Sequence, residues 1–261
     1  MDRKILFFDI DGTILSHRTF TISENTKNAI RQAQAKGHLA FINTGRVISA
    51  IPEEIKELGF DGFVCGCGTH ISYHDQILLQ TFIPEELTRN LIDDLRELGI
   101  DAVLEGTGAV YYDEYATNPI IKEIREYHDE NGFPVGSWDD SEVLIDKFCI
   151  WSASDAANRL FKEKYEEYFE FIDRNHHLYE IIPKGYSKAS GIQFLINHLN
   201  IPFENTYAFG DGENDLPMLQ YASQTIAMGN APESIKDIVS FVTLDVDENG
   251  IRYALEHYGL I

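Results

Sequence analysis

Between Lys4 and Leu15 the chain reads KILFFDIDGTIL. An unbroken apolar run as short as Ile5 to Phe8 is the mark of a strand buried on both faces, the kind that builds parallel sheets. Parallel strands need helical crossovers between them, so the rest of the chain must supply helices in alternation if the reading holds. Asp9 and Asp11 fall where the strand ends, and Gly12 lets the backbone turn away. Ligands of open α/β sheets bind outside the carboxyl ends of the strands. Two carboxylates placed there repel one another unless a cation or a proton lies between them. Asp-Gly is also a common turn or cap dipeptide, so the pentapeptide alone leaves that plainer reading open.

The pattern repeats downstream. Thr21 and Ser23 offer N-caps for a helix ending near Gly37, and HLAFIN (His38 to Asn43) is a second strand leading to Thr44-Gly45-Arg46. A short helix (Pro52 to Leu58) and a strand (Phe63 to Cys65) follow. Late in the chain the same alternation returns: helices at Ser187 to Leu199, Leu216 to Tyr221, Ala231 to Ile238 and Gly250 to His257, and strands at Thr206 to Phe209, Gln224 to Met228 and Phe241 to Thr243. The middle differs. It predicts helices at Glu85 to Leu98, Pro119 to Glu130 and Asp155 to Tyr168. Its strands are a hairpin of Asp101 to Glu105 and Ala109 to Asp113, then Glu142 to Trp151, Phe169 to Asp173 and His177 to Ile182. We read an α+β unit, residues 83–184, inserted into a discontinuous α/β unit, residues 1–82 and 185–261.

Charge and composition narrow the partners. With 43 acidic against 21 basic residues the formal charge is −22. Nucleic acid and anionic membrane surfaces are poor partners for such a chain, and an anionic substrate must be met by a local cation. No apolar stretch approaches a membrane span, and Asp9 interrupts the N-terminal run too early for a signal peptide. Cys65 and Cys67 are too close for unstrained bridging and Cys149 is distant, so the three cysteines read as free thiols in a reducing compartment. The expectation is a cytoplasmic protein acting on a small molecule.

Four stations sit at strand ends or helix starts: Asp9/Asp11, Thr44-Gly45-Arg46, Lys188, and GDGENDLPML from Gly210 to Leu219. Singly, each has a plain explanation. Thr44-Gly45 could be a turn, Lys188 a solvated lysine at a helix end that disfavours cations, and Asp215 an N-cap ahead of Pro217. Together they fit phosphoryl transfer, which needs a nucleophile, a cation against charge repulsion, and donors for the equatorial oxygens. Asp9 would attack phosphorus to give an aspartyl-phosphate, and Asp11 would protonate the leaving oxygen and later activate water. Asp9, Asp211 and a backbone carbonyl beside Asp11 offer the hard oxygens that Mg²⁺ prefers. The Thr44 hydroxyl, nearby backbone N–H groups and the Lys188 ammonium would hold the phosphoryl oxygens.

On these motifs the sequence resembles the haloacid dehalogenase (HAD) superfamily, specifically the Cof-type phosphatases with a C2B cap, over essentially its whole length. DIDGT (Asp9 to Thr13), Thr44-Gly45-Arg46, Lys188 within GYSKASG, and Gly210-Asp211-Gly212-Glu213-Asn214-Asp215 appear in the family's order. The resemblance implies a HAD-like Rossmannoid parallel sheet with helices on both faces plus an inserted α+β cap. It implies Asp9 as nucleophile and Asp11 as acid/base. Mg²⁺ would be held by Asp9, Asp11 (through its carbonyl) and Asp211, with Asp215 supporting from behind. Phosphate would be bound by Ile10, Thr44, Gly45, Lys188 and Asn214, and Arg46 would be a looser substrate contact. One departure stands out: where the family usually shows Asn-Gly after the third strand, this chain has Cys65-Gly66-Cys67-Gly68.

The implied activity is Mg²⁺-dependent hydrolysis of a small phosphorylated metabolite such as a sugar phosphate or nucleotide. The cap would choose the leaving group, with Glu105 to Tyr112 and His176 to Glu180 as candidate selecting stretches. Two other readings share the fold: a phosphomutase, which would return the group to another hydroxyl, and a non-catalytic metabolite-binding module. The latter has no need of Asp11.

Overall fold

The computed structural model describes residues 2–74, 76–152, 154–174 and 177–261. The chain divides into two compact units. One comprises Met1–Gly45, Glu54–Leu78 and Ser187–Ile261, the other Arg46–Glu53 and Leu79–Tyr186.

In chain order the first stretch gives β1 (Ile5–Phe8), α1 (Glu24–Ala35), β2 (Leu39–Asn43), α2 (Glu53–Lys56), β3 (Gly62–Cys65), β4 (His70–Tyr73) and β5 (Gln76–Gln80). The middle gives α3 (Glu85–Leu98), β6 (Asp101–Glu105), β7 (Val110–Tyr112), α4 (Pro119–Glu130), β8 (Val135–Ser137), β9 (Lys147–Trp151), α5 (Asp155–Tyr165), β10 (Phe169–Asp173) and β11 (Leu178–Pro183). The chain closes with α6 (Lys188–Leu199), β12 (Thr206–Gly210), α7 (Leu216–Tyr221), β13 (Gln224–Ala227), α8 (Glu233–Lys236), β14 (Phe241–Val242) and α9 (Gly250–His257).

The first unit is built on an eight-stranded sheet ordered β14-β13-β12-β1-β2-β3-β4-β5 among the described residues. From β14 to β3 every pairing is parallel, and β4 joins β3 antiparallel. The apolar run reads out as expected: Ile5, Leu6, Phe7 and Phe8 have no exposed surface. β1 is central, with β2 on one side and β12, about two hundred residues later in the chain, on the other. Strand order reverses at β1, which is where a crevice opens at the carboxyl ends in sheets of this kind.

Among the described residues the second unit carries a six-stranded sheet ordered β10-β11-β9-β6-β7-β8, antiparallel except for β7 with β8. The period-2 alternation splits its side chains between two faces. Leu104, Phe148, Ile150 and Ile181 pack with Leu91 and Leu95 of α3 and Phe161 of α5. Val103, Tyr112 and Trp151 pack on the opposite face with Ile121 of α4 and with Val47 and Ala50. Those last two explain why Arg46–Glu53 groups with this unit.

Sequence reading and structure part company at a few edges. The expected strand from Glu142 is formed only at Lys147–Trp151, while Ile145 and Asp146 use their backbones on Ile83 and Glu105. The strands β4, β5 and β8 have no counterpart in the sequence reading, and the helix expected to Tyr168 stops at Tyr165.

A buried ion group on the second sheet gives a pH prediction. Lys147 Nζ lies 2.6 Å from Glu105 and 2.7 Å from Glu180, and Arg174 also pairs with Glu180. Burial pushes the Glu180 carboxyl up, but the Lys147 and Arg174 charges outweigh it and hold the group down at about 2. A depressed carboxyl contributes stability above its unfolded value near 4.5 that is lost as pH falls through the folded value. That shift corresponds to about 3 kcal/mol. Urea unfolding of the second unit followed from pH 5 to pH 2 should show this loss, and Glu180→Gln should flatten the slope. An equal slope in both proteins would remove Glu180 from the explanation.

Candidate active site

Each motif reaches the switch point on a different element of the first unit. Asp9 follows β1 directly; its N–H donates to the Phe209 carbonyl at 3.0 Å, which fixes it against β12, and it is 2 % exposed. Three residues on, the chain reverses: the Ile10 carbonyl accepts from the N–H groups of Thr13, Ile14 and Leu15. Gly12 is required at this turn. Its φ is +77°, and a Cβ there would come within 2.1 Å of Asp211 Oδ2.

Lys188 is the first residue of α6, which is capped by Ser187 and Ser190 in a reciprocal capping box. A helix N-terminus disfavours an ammonium, and Lys188 is nonetheless only 1 % exposed. Two carboxylates explain its place: Nζ lies 2.6 Å from Asp9 Oδ1 and 2.6 Å from Asp215 Oδ1. The solvated-lysine reading is thereby corrected. The N-cap reading of Asp215 fails as well, since its side chain makes no cap hydrogen bond to α7. Instead Oδ1 holds Lys188 while Oδ2 accepts from the N–H groups of Asp211 and Gly212 at 2.9 and 3.0 Å.

Asp211 completes the cluster. One oxygen of each of Asp9, Asp211 and Asp215 lies within 4.8 Å of the other two. Both Asp211 oxygens are held by neutral donors: Thr13 Oγ1 reaches Oδ1 at 3.1 Å and Asn230 Nδ2 reaches Oδ2 at 3.2 Å. His17 Nε2 approaches Oδ2 at 3.8 Å.

Three carboxylates against one ammonium leave the cluster short of positive charge. Burial above all, and then the Asp215 charge, push the Asp9 carboxyl up to about 8 in spite of Lys188. The same two causes push Asp211 up to about 6. Lys188 is shifted the other way: burial opposes its charge, but Asp215 and Asp9 together hold it well above the usual lysine range.

The remaining predicted residues are placed as follows. Thr44 is buried; its N–H donates to Val64 and its carbonyl accepts from Cys67, so the loop after β2 is clamped to the loop after β3. Gly45 and Asn214 are half-buried, Asn214 in the turn Glu213–Asp215 with its Oδ1 beside Gly212. Asp11 is half-buried in an isolated bridge to Leu15, and its carboxylate is not in the three-acid cluster. Arg46 belongs to the second unit, where it donates to the Ala50 carbonyl at 3.2 Å. Glu105 ends β6, Val110–Tyr112 forms β7 and Glu180 lies on β11; His176 lies outside the described residues. At the unusual loop, Cys67 takes a left-handed φ of +55° and bonds Thr44 through its backbone, while Cys65 and Cys67 are buried and joined in no disulfide.

A family model for haloacid dehalogenase-like hydrolases matches residues 6–255. The chain belongs to that family. The HAD relatives include the putative phosphatase YkrA of Bacillus subtilis, 32% identical over all of both chains. A solved hypothetical protein from Geobacillus kaustophilus matches with a TM-score of 0.86 and 30% identity over 99% of this chain and all of its own. The HAD subclass IIB sugar phosphatase BT4131 matches with a TM-score of 0.82 and 28% identity, again over 99% of this chain and all of its own. The protein is therefore a HAD-type enzyme of the hydrolase class, with the mixed α/β fold and cap-bearing architecture of its neighbours.

Sequence reasoning missed three polar side chains here. Asn43 Nδ2 donates to the Lys188 carbonyl at 3.0 Å and so ties β2 to the start of α6. His17 and Asn230 flank Asp211. None carries a local signal, since a lone asparagine at a strand end or turn is ordinary.

Proposed function

We propose that the protein is a Mg²⁺-dependent phosphatase that hydrolyses phosphomonoesters of small metabolites through an aspartyl-phosphate on Asp9. The observation that carries this reading is Lys188 Nζ held between Asp9 and Asp215 with Asp211 alongside. A Lys-backed carboxylate in a buried, cation-poor acid cluster suits attack on an anionic phosphoryl group. The donor set fits a hard divalent cation: every ligand is an oxygen, and the raised Asp9 and Asp211 values mark a local shortage of positive charge. Asp9 and Asp211 would hold it, with the Asp11 carbonyl, while Asp215 has both oxygens engaged and supports from behind. When bound, Mg²⁺ supplies the charge that offsets repulsion between Asp9 and the phosphoryl oxygens.

The chain's own groups then divide the work. An Asp9 oxygen attacks phosphorus while the bond to the leaving oxygen breaks, and Asp11, protonated, gives that oxygen its proton. Water next attacks the phosphorus of the acyl phosphate, the bond from phosphorus to the Asp9 oxygen breaks, Asp11 takes the water's proton, and inorganic phosphate leaves with Asp9 restored. Lys188, Thr44, the Ile10 and Gly45 backbone N–H groups and Asn214 hold the phosphoryl oxygens. The inserted unit, residues 83–184 with Arg46 as a looser contact, carries the choice of leaving group. A sugar phosphate is the first class to test, since BT4131 bears the name sugar phosphatase.

The test is a screen of phosphorylated sugars and nucleotides with Mg²⁺ and with EDTA, reading inorganic phosphate. Release that needs Mg²⁺ is expected. Transfer to a second hydroxyl without free phosphate would favour the phosphomutase reading, and inertness toward every ester would favour the binding-module reading.

A further inference from the structure

We infer that Asn230 is a positioning residue for the cation site, acting through Asp211; this rests on the assignment of Asp211 as a cation ligand above. Asn230 follows β13 and is 218 positions from Gly12 in sequence, yet its amide joins three segments. Nδ2 donates to the Gly12 carbonyl at 2.8 Å and to Asp211 Oδ2 at 3.2 Å, while Oδ1 accepts from the Val246 N–H at 3.1 Å. The amide orientation is set by these partners. Reversed, it would turn its oxygen toward two acceptors and its NH₂ toward a donor.

The role requires an amide in particular. An aspartate at this place would set a second negative oxygen against Asp211, and an apolar residue would leave the Gly12 carbonyl and one Asp211 oxygen without this donor. Asn230 also works in concert with Thr13, which holds the other Asp211 oxygen at 3.1 Å. With one donor on each oxygen, rotation of the carboxylate is restrained. Its remaining lone pairs keep one direction relative to Asp9. The Gly12 bond fixes the DIDGT turn to the same amide, so the turn and the acid from β12 are held in one register. Groups of this kind that orient a metal ligand are typically worth roughly 10–100-fold in metal affinity.

The experiment is a Mg²⁺ titration of the full chain with two readouts: the rise in melting temperature in the absence of substrate, and the Mg²⁺ concentration giving half-maximal phosphate release. In Asn230→Ala both midpoints should move to roughly 10–100-fold higher Mg²⁺, with kcat at saturating Mg²⁺ close to wild type. A residue that only ties Val246 to the fold would lower the melting temperature in EDTA and leave both midpoints in place, and that result overturns the inference. If Asn230→Ala does not fold, Asn230→Ser, which keeps a single donor, is titrated instead, with a several-fold shift expected. Failure of both to fold assigns Asn230 to the fold and overturns the inference equally. Asp211→Asn separates the two levels. If it binds Mg²⁺ like wild type, or wild type shows no midpoint, the cation-site reading itself fails. If Asp211→Asn loses the midpoint while Asn230→Ala keeps it, only the inference about Asn230 fails.

Discussion

Asp9→Asn should abolish turnover, lowering kcat by roughly four or more orders of magnitude, without loss of folding stability in EDTA. On the proposed mechanism the amide cannot form an acyl phosphate, so the substitution would end the double displacement rather than slow one of its steps. Stability moves the other way because of the ion's surroundings. The Asp9 carboxyl is pushed up to about 8 by burial and by Asp215, which means that the fold disfavours its charged form at neutral pH. Asparagine is isosteric, still offers Lys188 an acceptor, and brings no charge. A melting temperature in EDTA equal to or above wild type, with phosphate release at background, is the expected pair of results. Retained turnover would refute the nucleophile assignment, and a large fall in melting temperature would refute the account of burial.

Lys188→Met should damage both properties at once. Removal of the ammonium leaves the Asp215 carboxylate, 0 % exposed, without its counter-charge beside the equally buried Asp9. Breaking a buried pair by deleting one partner typically costs about 3–5 kcal/mol. In a chain of this size that is a fall in melting temperature of roughly 6–20 °C. Phosphate release should fall by at least roughly 10²–10³, the loss typical of removing one hydrogen-bond donor aimed at a transition-state oxygen. A second substitution divides the two effects. Lys188→Met with Asp215→Asn removes the stranded charge and should recover part of the stability while activity stays low. If Lys188→Met melts with wild type, the ammonium is not the group that neutralises the cluster.

Much of this arrangement is legible in the sequence, and the unread parts have specific physical causes. β1 is plain because both of its faces are buried, so no polar residue interrupts Ile5–Phe8. α6 is plain because Ser187 and Ser190 announce its start. The strand β8 escapes notice because a three-residue edge strand needs little apolar surface and its central residue is a glycine, and β4 because its four residues, HISY, hold one aliphatic side chain. The stretch before β9 is overread because Val143 and Ile145 alternate as a strand would, yet they pack in the second unit's core without extending the ladder. At the site, each of the four motifs has its own local signature, but the burial of Lys188 has none. It is decided by Asp215, twenty-seven positions away, whose two oxygens tie the ammonium to the Asp211 turn. Asn43 and Asn230 are invisible for the same reason, since their partners are distant in sequence.

The position of β1 also has a consequence for biosynthesis. Ile5 pairs with Leu39 on one side and with Thr206 on the other. During translation the first partner follows within seconds, but the second emerges only after about two hundred further residues, which takes roughly 10–40 s at ordinary elongation rates. Through that interval the most apolar strand of the sheet has one edge unpaired, with the whole inserted unit emerging in between. The nascent chain is thus exposed to wrong strand pairing at one edge for most of its synthesis, and its yield in cells should depend on elongation speed and chaperone supply more than on the final stability of either unit.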